Sequence, residues 1–246
     1  MIFKKRLDAQ IRSTICGRKS SQSRPKRFDR NPGRLRILQA WALLWAVLGV
    51  SAVKLCIDLC SGLGGFSSAF RDSPDWDVIT VDIERKFKPT ICADVIHLPL
   101  REDFKADVGL ASPPCNQMSI ASVSHHWIDK KPNPETMPAI RLFHHVRDWL
   151  EAHCEKHLRE NPMGMARNEA VYGKPMMTLN LSDYGTKWKK RTDFWGNIML
   201  PMIDARRDWE AAPRGSNGGV QGVRNPAKRA LLPHKLSLAI LKTVST

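Results

Sequence analysis

The sequence predicts an α/β fold, with a mostly parallel sheet and helices on both of its faces. Three observations support this prediction: short apolar runs alternate with helix-like segments, a glycine-rich turn follows the first run, and other runs end in an acid or a proline pair. Such alternation is typical of parallel sheets with right-handed crossovers. Ligands bind these sheets beyond the carboxyl ends of the strands, so we expect functional residues there.

Local patterns define the individual elements. The longest predicted helix has apolar residues at helical spacing, at Ile140, Phe143, Val146, Trp149 and Leu150. In chain order, the predicted elements are a strand at 53–58, a helix beginning at 66–70, a strand at 77–82, a short run at 90–93, a strand at 106–111, a helix at 137–158 and a strand at 176–181.

Basic charge is concentrated at the start of the chain. The whole sequence has 39 Lys and Arg against 24 Asp and Glu, a net charge of +15. Residues 1–36 hold twelve basic and two acidic residues, a net of +10 that leaves +5 for residues 37–246. Because this segment has no apolar periodicity, we predict a disordered arm at 1–36. It either contacts nucleic-acid phosphates through counterion release or is a dispensable extension.

An uncharged segment separates the arm from the predicted sheet. Residues 37–53 contain no charged side chain, and their seventeen positions are at the short limit for a membrane span. We predict an apolar helix at 37–52 that docks on the following domain, with membrane association as the alternative. Residues 53–246 are then the main domain.

Six cysteines lie far apart in the sequence, which is typical of reduced intracellular thiols rather than a disulfide framework. Cys56 and Cys60 are four residues apart, and Cys154 and His157 are three apart. Neither pair has a second pair at a zinc-site spacing, so we predict no metal site. Reduced thiols favour a cytoplasmic location, which we predict for this chain.

Glycines and acids follow the first predicted strands. Asp58 ends the first strand, and Gly62 and Gly64 allow a ligand to approach the backbone closely. Asp82 lies near the offset at which an acid binds ribose hydroxyls, and Asp94 follows the short run at 90–93. The turn lacks the spacing of nicotinamide binders and of phosphate loops. The pattern therefore predicts an adenosine-containing ligand without a pyrophosphate, although an ordinary strand-to-helix turn is the simpler interpretation of the glycines alone.

A cysteine follows the strand at 106–111. Pro113 and Pro114 stiffen the loop and hold Cys115 at the sheet edge that carries the glycine turn. A thiol there is a candidate nucleophile, and nearby positive charge would favour its thiolate. A buried, purely structural cysteine is the alternative.

These residues resemble the DNA cytosine-5 methyltransferases, over 53–197 with a weaker tail to 241. Residues 58–66 resemble the S-adenosylmethionine loop of that family, and Asp82-Ile83 and Asp94 lie where its ribose and adenine acids lie. Pro113-Pro114-Cys115 with Ser119 matches its catalytic loop in type and spacing. Glu160-Asn161-Pro162 resembles the motif that supplies its catalytic glutamate. Residues 184–197 and 225–236 resemble the closing segments of small viral and prokaryotic members.

The resemblance implies a Rossmann-like methyltransferase that transfers a methyl group from S-adenosylmethionine to C5 of cytosine in DNA. Cys115 attacks C6 of a flipped base, and Glu160 holds and protonates N3. For Lys190 and Arg191, base or phosphate contact and a solvated basic face are both open. The implied cofactor-binding residues are Asp58, Gly62, Gly64, Gly65, Phe66, Asp82, Ile83, Asp94 and Pro113, and the implied substrate-binding residues are Ser119, Asn161, Lys190 and Arg191.

Three features depart from the family pattern. The run at 154–159 is polar where the family has an apolar strand, and Asn116-Gln117 replace Gln-Gly after the cysteine. Only residues 198–222 occupy the place of a target-recognition domain, so we expect low sequence specificity. Two alternatives stay open: a methyltransferase for exocyclic amino groups, because Ser112-Pro113-Pro114 fits its motif, and an inactive nucleic-acid-binding relative. We expect DNA as the partner and a monomeric state.

Overall fold

The computed structural model describes residues 53–186, 190–200 and 225–246. The predicted arm at 1–36, the predicted apolar helix at 37–52 and most of the segment at 198–222 lie outside the described residues. Within them, the chain from 54 to 98 and from 103 onward forms one compact unit. None of the described helices is long and apolar enough to cross a bilayer.

A seven-stranded sheet organises this unit, with the order β3-β2-β1-β4-β7-β9-β8 among the described residues. Neighbours from β3 to β7 pair in parallel, and β9 runs antiparallel to both β7 and β8. The predicted mostly parallel α/β sheet is confirmed. The strands are β1 (Lys54–Leu59), β2 (Trp76–Asp82), β3 (Ile91–Cys92), β4 (Ala106–Ala111), β7 (Cys154–Pro162), β8 (Met177–Asn180) and β9 (Arg191–Gly196), beside a separate hairpin of β5 (Trp127–Ile128) and β6 (Lys131–Pro132).

Helices cover both faces of the sheet. The described helices are α1 (Ser68–Asp72), α2 (Val123–His126), α3 (Met137–His153), α4 (Pro226–Ala230) and α5 (His234–Ser245). Successive side chains of a strand point to opposite faces. Phe194 of β9 accordingly belongs to the core under α1 and α5, and the next residue, Trp195, belongs to the core under α3.

The sheet brings two strand ends together. After β3 the chain crosses back over the sheet, and β4 pairs with β1 on the side opposite β2. This reversal of strand order opens a crevice between the carboxyl ends of β1 and β4, where ligands bind in open α/β sheets. The glycine turn follows β1 and the Cys115 loop follows β4, so both predicted motifs lie at this crevice.

The predicted helix at 137–158 is too long. It ends at His153, and the polar run that follows forms the first part of β7, a central strand between β4 and β9. α3 and the loop after β7 provide partners for one of its buried charged side chains, Arg159. Arg159 lies 3.2 Å from the Glu151 carboxylate and stacks on the Tyr172 ring at 4.9 Å. The strand that the family resemblance requires before Glu160 is therefore formed.

Candidate active site

The glycine turn is closed by backbone geometry. Gly62 and Gly64 have φ values of +51° and +70°, in the left-handed region that favours glycine. The Gly62 N–H donates to Asp82 Oδ2 over 2.8 Å, and the Gly64 N–H donates to the Ser61 carbonyl over 2.7 Å. These bonds fasten the turn after β1 to the end of β2.

The C-terminal segment packs directly on this turn. A Cβ on Gly65 would lie 2.4 Å from the carbonyl oxygen of Leu232, so the backbones approach too closely for any side chain. The Ala69 N–H donates to Ser237 Oγ over 3.0 Å, which joins α1 to α5. The residues after 225 therefore form one wall of the glycine-turn region.

Phe66 is a core residue. Its side chain is 2% exposed and its ring packs 6.3 Å from the Phe194 ring. The predicted cofactor contact is therefore not available to this side chain, because the helix start turns it inward under the sheet. The preceding glycines of the motif, Gly62, Gly64 and Gly65, lie after the end of β1.

Asp58 is fully buried at the end of β1. Its Oδ2 accepts a hydrogen bond from Ser67 Oγ over 2.6 Å, and its Oδ1 has no partner in the protein. Burial raises the pKa of this carboxyl to about 7, and the Ser67 hydroxyl and the Arg71 guanidinium partly oppose that shift. A buried carboxylate oxygen without a donor indicates a missing polar partner.

The other two predicted acids lie on neighbouring strand ends, Asp82 at the end of β2 and Asp94 just after β3. Asp82 accepts backbone N–H groups from Gly62 and Glu84, each over 2.8 Å, and Asp94 accepts the Ile96 N–H over 3.0 Å. Burial raises the pKa of the Cys60 thiol to about 12, and the nearby carboxylates Asp82, Asp58 and Asp94 contribute in that order. Ile83, next to Asp82, is 66% exposed and presents an apolar surface beside the carboxylates.

The Cys115 loop is held at both ends. The Ser112 N–H donates to the Leu59 carbonyl over 3.2 Å, and the N–H groups of Met118 and Ser119 donate to the Cys115 carbonyl over 3.0 and 2.8 Å. Asn161 Nδ2 donates to the carbonyl of buried Pro113 over 2.9 Å. The loop after β4 is thereby fixed to the end of β7.

A buried ion pair lies beside Cys115. Lys190 Nζ is 3.6 Å from Glu160 Oε1, with the two side chains 9% and 4% exposed, and Thr192 Oγ1 donates to the same oxygen over 3.4 Å. Burial raises the pKa of the Cys115 thiol, and the Glu160 carboxylate raises it further, whereas Lys190 and Arg229 lower it. The thiol therefore responds to the charges of one carboxylate and two cations.

The remaining predicted substrate residues are distributed differently. Asn161 is fully buried, and its amide holds the Pro113 carbonyl. Ser119 Oγ lies 3.0 Å from Ser122 Oγ, and its backbone pairs with Gly164. Arg191 is exposed at the start of β9 and points away from the Glu160 side, because Thr192 occupies the face toward Glu160.

Two further residues, one that contacts Glu160 and one whose charge acts on Cys115, were not among the predicted site residues. Thr192 belongs to the recognised segment at 184–197, but its contact with Glu160 depends on the pairing of β7 with β9. Arg229 belongs to the segment at 225–236, and only the fold brings it to Cys115. Among the described residues, no group of three or more His, Cys, Asp or Glu side chains is placed to hold a metal ion.

No family model matches the chain, and no curated protein matches it. Solved structures that match this chain include several methyltransferases. They include magnesium protoporphyrin IX methyltransferase from Synechocystis PCC 6803 with bound S-adenosylmethionine, at 14% identity over 71% of this chain and 86% of that chain, with a TM-score of 0.37. TrmN from Thermus thermophilus is 14% identical over 62% of this chain and 46% of its own, with a TM-score of 0.35. A putative RNA methyltransferase from Pyrococcus horikoshii is 12% identical over 78% and 94%, with a TM-score of 0.33.

Proposed function

We propose that this chain transfers a methyl group from S-adenosylmethionine to C5 of a cytosine base in DNA. The observation that carries the proposal is the buried Glu160–Lys190 pair beside Cys115, at the crevice that also holds the glycine turn. A site that holds a thiol, a carboxylate and a cation suits nucleophilic attack on one atom of a ring while another atom of the same ring is protonated. The resemblance of the motifs to the cytosine-5 family supports the same substrate.

The residues around the glycine turn fit the methyl donor. Asp58 Oδ1 is a buried acceptor without a partner, suited to a cationic amino group, and the glycines leave room for a ligand against the backbone. Asp82 lies at the end of β2, where an acid binds ribose hydroxyls, and exposed Ile83 offers an apolar surface for the adenine of the donor. When bound, S-adenosylmethionine supplies an electrophilic methyl group.

Cys115 and Glu160 have different roles in the reaction. Cys115 loses its thiol proton, and the resulting thiolate forms a bond from Sγ to C6 of the cytosine, which pushes electron density toward C5 and N3. Glu160, in its protonated form, holds N3 and gives it a proton, which offsets the negative charge. C5 then takes the methyl group. A base removes the C5 proton, and the electron pair of the C5–H bond restores the C5–C6 double bond as Cys115 leaves C6. The ring carbons are covered in a base stack, so the target base must leave the stack before Cys115 reaches it.

A second reaction is favoured by one observation. Ser112 begins a Ser-Pro-Pro sequence, and its Oγ is buried without a hydrogen-bond partner. Enzymes that methylate exocyclic amino groups have a polar residue at this position of their motif, and an unpartnered hydroxyl can accept a hydrogen bond from such an amino group. Such an enzyme has no use for Cys115 or Glu160, so the product distinguishes the two reactions.

Trapping with 5-fluorocytosine tests the proposal. DNA that carries this base cannot lose a proton from C5, so a cytosine-5 enzyme stalls as a covalent adduct. We expect the full-length protein with methyl donor to give a denaturation-resistant complex, and Cys115→Ser to give none. Nucleoside analysis of methylated ordinary DNA is the parallel measurement. Methylated amino groups without any adduct would contradict the proposal and favour the Ser112 reaction.

A further inference from the structure

A small cleft lies between the segment that follows the Cys115 loop and the loop that follows β7. Its volume is about 290 Å³, and its lining residues are Ile120, Val123, Met163, Gly164, Met165 and Arg167. The Met165 N–H donates to the Met118 carbonyl over 2.7 Å, and Ser119 forms a backbone bridge with Gly164. Because the N–H groups of Met118 and Ser119 in turn bond to the Cys115 carbonyl, the cleft is held in a fixed position next to the candidate nucleophile.

Apolar side chains form most of this cleft. Two come from the segment after Cys115 and two from the loop after β7. Ile120 is 59% exposed, so a large apolar side chain faces solvent at the edge of the cleft. Apolar lining with one polar group that fixes orientation is typical of sites for small organic rings.

Arg167 supplies the polar group, and its guanidinium is held in one plane. Nε and Nη2 donate to the two carboxylate oxygens of Asp193 over 2.5 and 2.6 Å, and Nη2 also donates to Thr178 Oγ1 over 2.9 Å. Asp193 is fully buried on β9, whereas the Arg167 side chain is 37% exposed. A bidentate pair of this kind orients the guanidinium. The third nitrogen, Nη1, has no hydrogen-bond partner among the described residues and keeps two N–H groups for a ligand.

We propose that this cleft binds a base that flanks the target cytosine, with Arg167 Nη1 donating to acceptors on the edge of that base. Guanine fits best, because its O6 and N7 are neighbouring acceptors, whereas adenine and cytosine present an amino donor on the same edge. This inference rests on the proposed function and adds a source of sequence preference. It assigns that preference to the part of the chain that carries Cys115, rather than to a separate recognition domain.

A phosphate is the other group that an arginine commonly binds. It is strongly hydrated and is usually held by several donors, whereas this cleft has apolar walls and offers one guanidinium nitrogen. The two ligands also have different consequences. Loss of a phosphate contact weakens binding to all sequences equally and lowers the salt slope by about 1, whereas loss of a base contact relaxes the preference at one position.

A duplex library with random bases on both sides of one cytosine tests the proposal. After methylation by the full-length protein with S-adenosylmethionine, sequencing that detects 5-methylcytosine should show guanine favoured about tenfold at one flanking position. Arg167→Lys keeps a cation beside Asp193 but loses the oriented nitrogen, so the preference should largely disappear while cytosines are still methylated. Methylation without a flanking preference, or a preference unchanged in Arg167→Lys, would overturn the inference and leave the proposed function intact.

Ile120→Ala tests the apolar wall without disturbing the buried Asp193 carboxylate. The base is then held less firmly against Arg167, so the guanine preference should fall. Ile128→Ala is the matched control, because Ile128 is similarly exposed, at 64%, and lies on the β5–β6 hairpin outside the lining of the cleft. Its preference should equal that of wild type. Equal preferences in the two variants would contradict the assigned wall.

DNA binding without methyl transfer provides a separate readout. Fluorescence anisotropy compares duplexes that carry guanine or 7-deazaguanine at each flanking position, since the analogue lacks the N7 acceptor. Wild type should bind the guanine duplex several-fold more tightly at one position, and Arg167→Lys should bind both alike. A uniform loss of affinity with a lower salt slope in Arg167→Lys would assign Arg167 to a phosphate and overturn the inference. Guanine-dependent binding by a protein that methylates no cytosine would support the cleft and contradict the proposed function.

Discussion

The glycine turn and the Cys115 loop lie at neighbouring strand ends, but different forces hold them. The turn is closed by backbone hydrogen bonds and by one carboxylate, Asp82, that lies twenty residues from Gly62. The Cys115 loop also has backbone hydrogen bonds, but the side chains that hold it or act on its thiol come from β7, from Lys190 just before β9 and from α4, between 45 and 114 residues from Cys115 in sequence. Apart from the C-terminal segment packed against Gly65, the shape of the glycine turn therefore depends on local geometry, whereas the surroundings of Cys115 depend on tertiary packing.

Glu160→Gln should separate the two regions most sharply. A neutral amide still hydrogen-bonds to the ring but provides no comparable acid, so the methylation rate should fall by about 10²–10⁴-fold. Donor affinity should stay near the wild-type value, because Glu160 does not touch the glycine turn. Single-turnover kinetics and calorimetric titration of S-adenosylmethionine measure the two quantities. A comparable loss in donor affinity would show that the regions are not independent.

The same contrast explains which parts of the structure could be predicted from the sequence and which could not. Glycines, prolines and acids at strand ends act through local conformation, so the turn at 58–66 and the rigid loop before Cys115 were recognisable in the sequence. The strand at 154–162 was not, because its polar residues are buried only after α3 supplies Glu151 and the loop after β7 supplies Tyr172. Arg229 and Thr192 were missed for the same reason: tertiary packing decides their place.

Asp58→Asn should change the pH dependence of stability. Burial raises the folded-state pKa of Asp58 to about 7, above the ordinary value of 3.8, so between these values the folded protein binds more protons than the unfolded chain. Stability contributed by this group is therefore present below about pH 4 and is lost as pH rises to about 7, by up to about 4 kcal/mol.

Asparagine has no charge to desolvate, so the variant should show a flatter profile over that interval. Urea unfolding at several pH values measures it, with Asp94→Asn as the control, since Asp94 is an exposed acid at the same loop. Equal slopes for wild type and Asp58→Asn would contradict the buried, partnerless carboxyl.

Gly65→Ala should cost more stability than Gly62→Ala. A Cβ at Gly65 would lie 2.4 Å from the Leu232 carbonyl oxygen, so the C-terminal segment must move, at a cost of about 1–3 kcal/mol. A Cβ at Gly62 meets no atom within 4 Å, and only its left-handed backbone opposes the change, at about 1 kcal/mol. Thermal unfolding compares the pair. The reverse order would show that the backbone conformation, rather than the docked segment, dominates this region.

Asp82→Ala should weaken donor binding about tenfold, or about 1.4 kcal/mol, with little effect on the Cys115 side. The difficulty is that Asp82 also holds the Gly62 and Glu84 N–H groups, so the loss has two sources. A double-mutant cycle separates them, with donor analogues that lack the ribose hydroxyls as the second change. If Asp82 binds those hydroxyls, the alanine substitution should cost much less affinity with the analogue than with S-adenosylmethionine. An equal loss with both ligands would mean that Asp82 acts only by closing the turn, and the local geometry alone would then account for its part in donor binding.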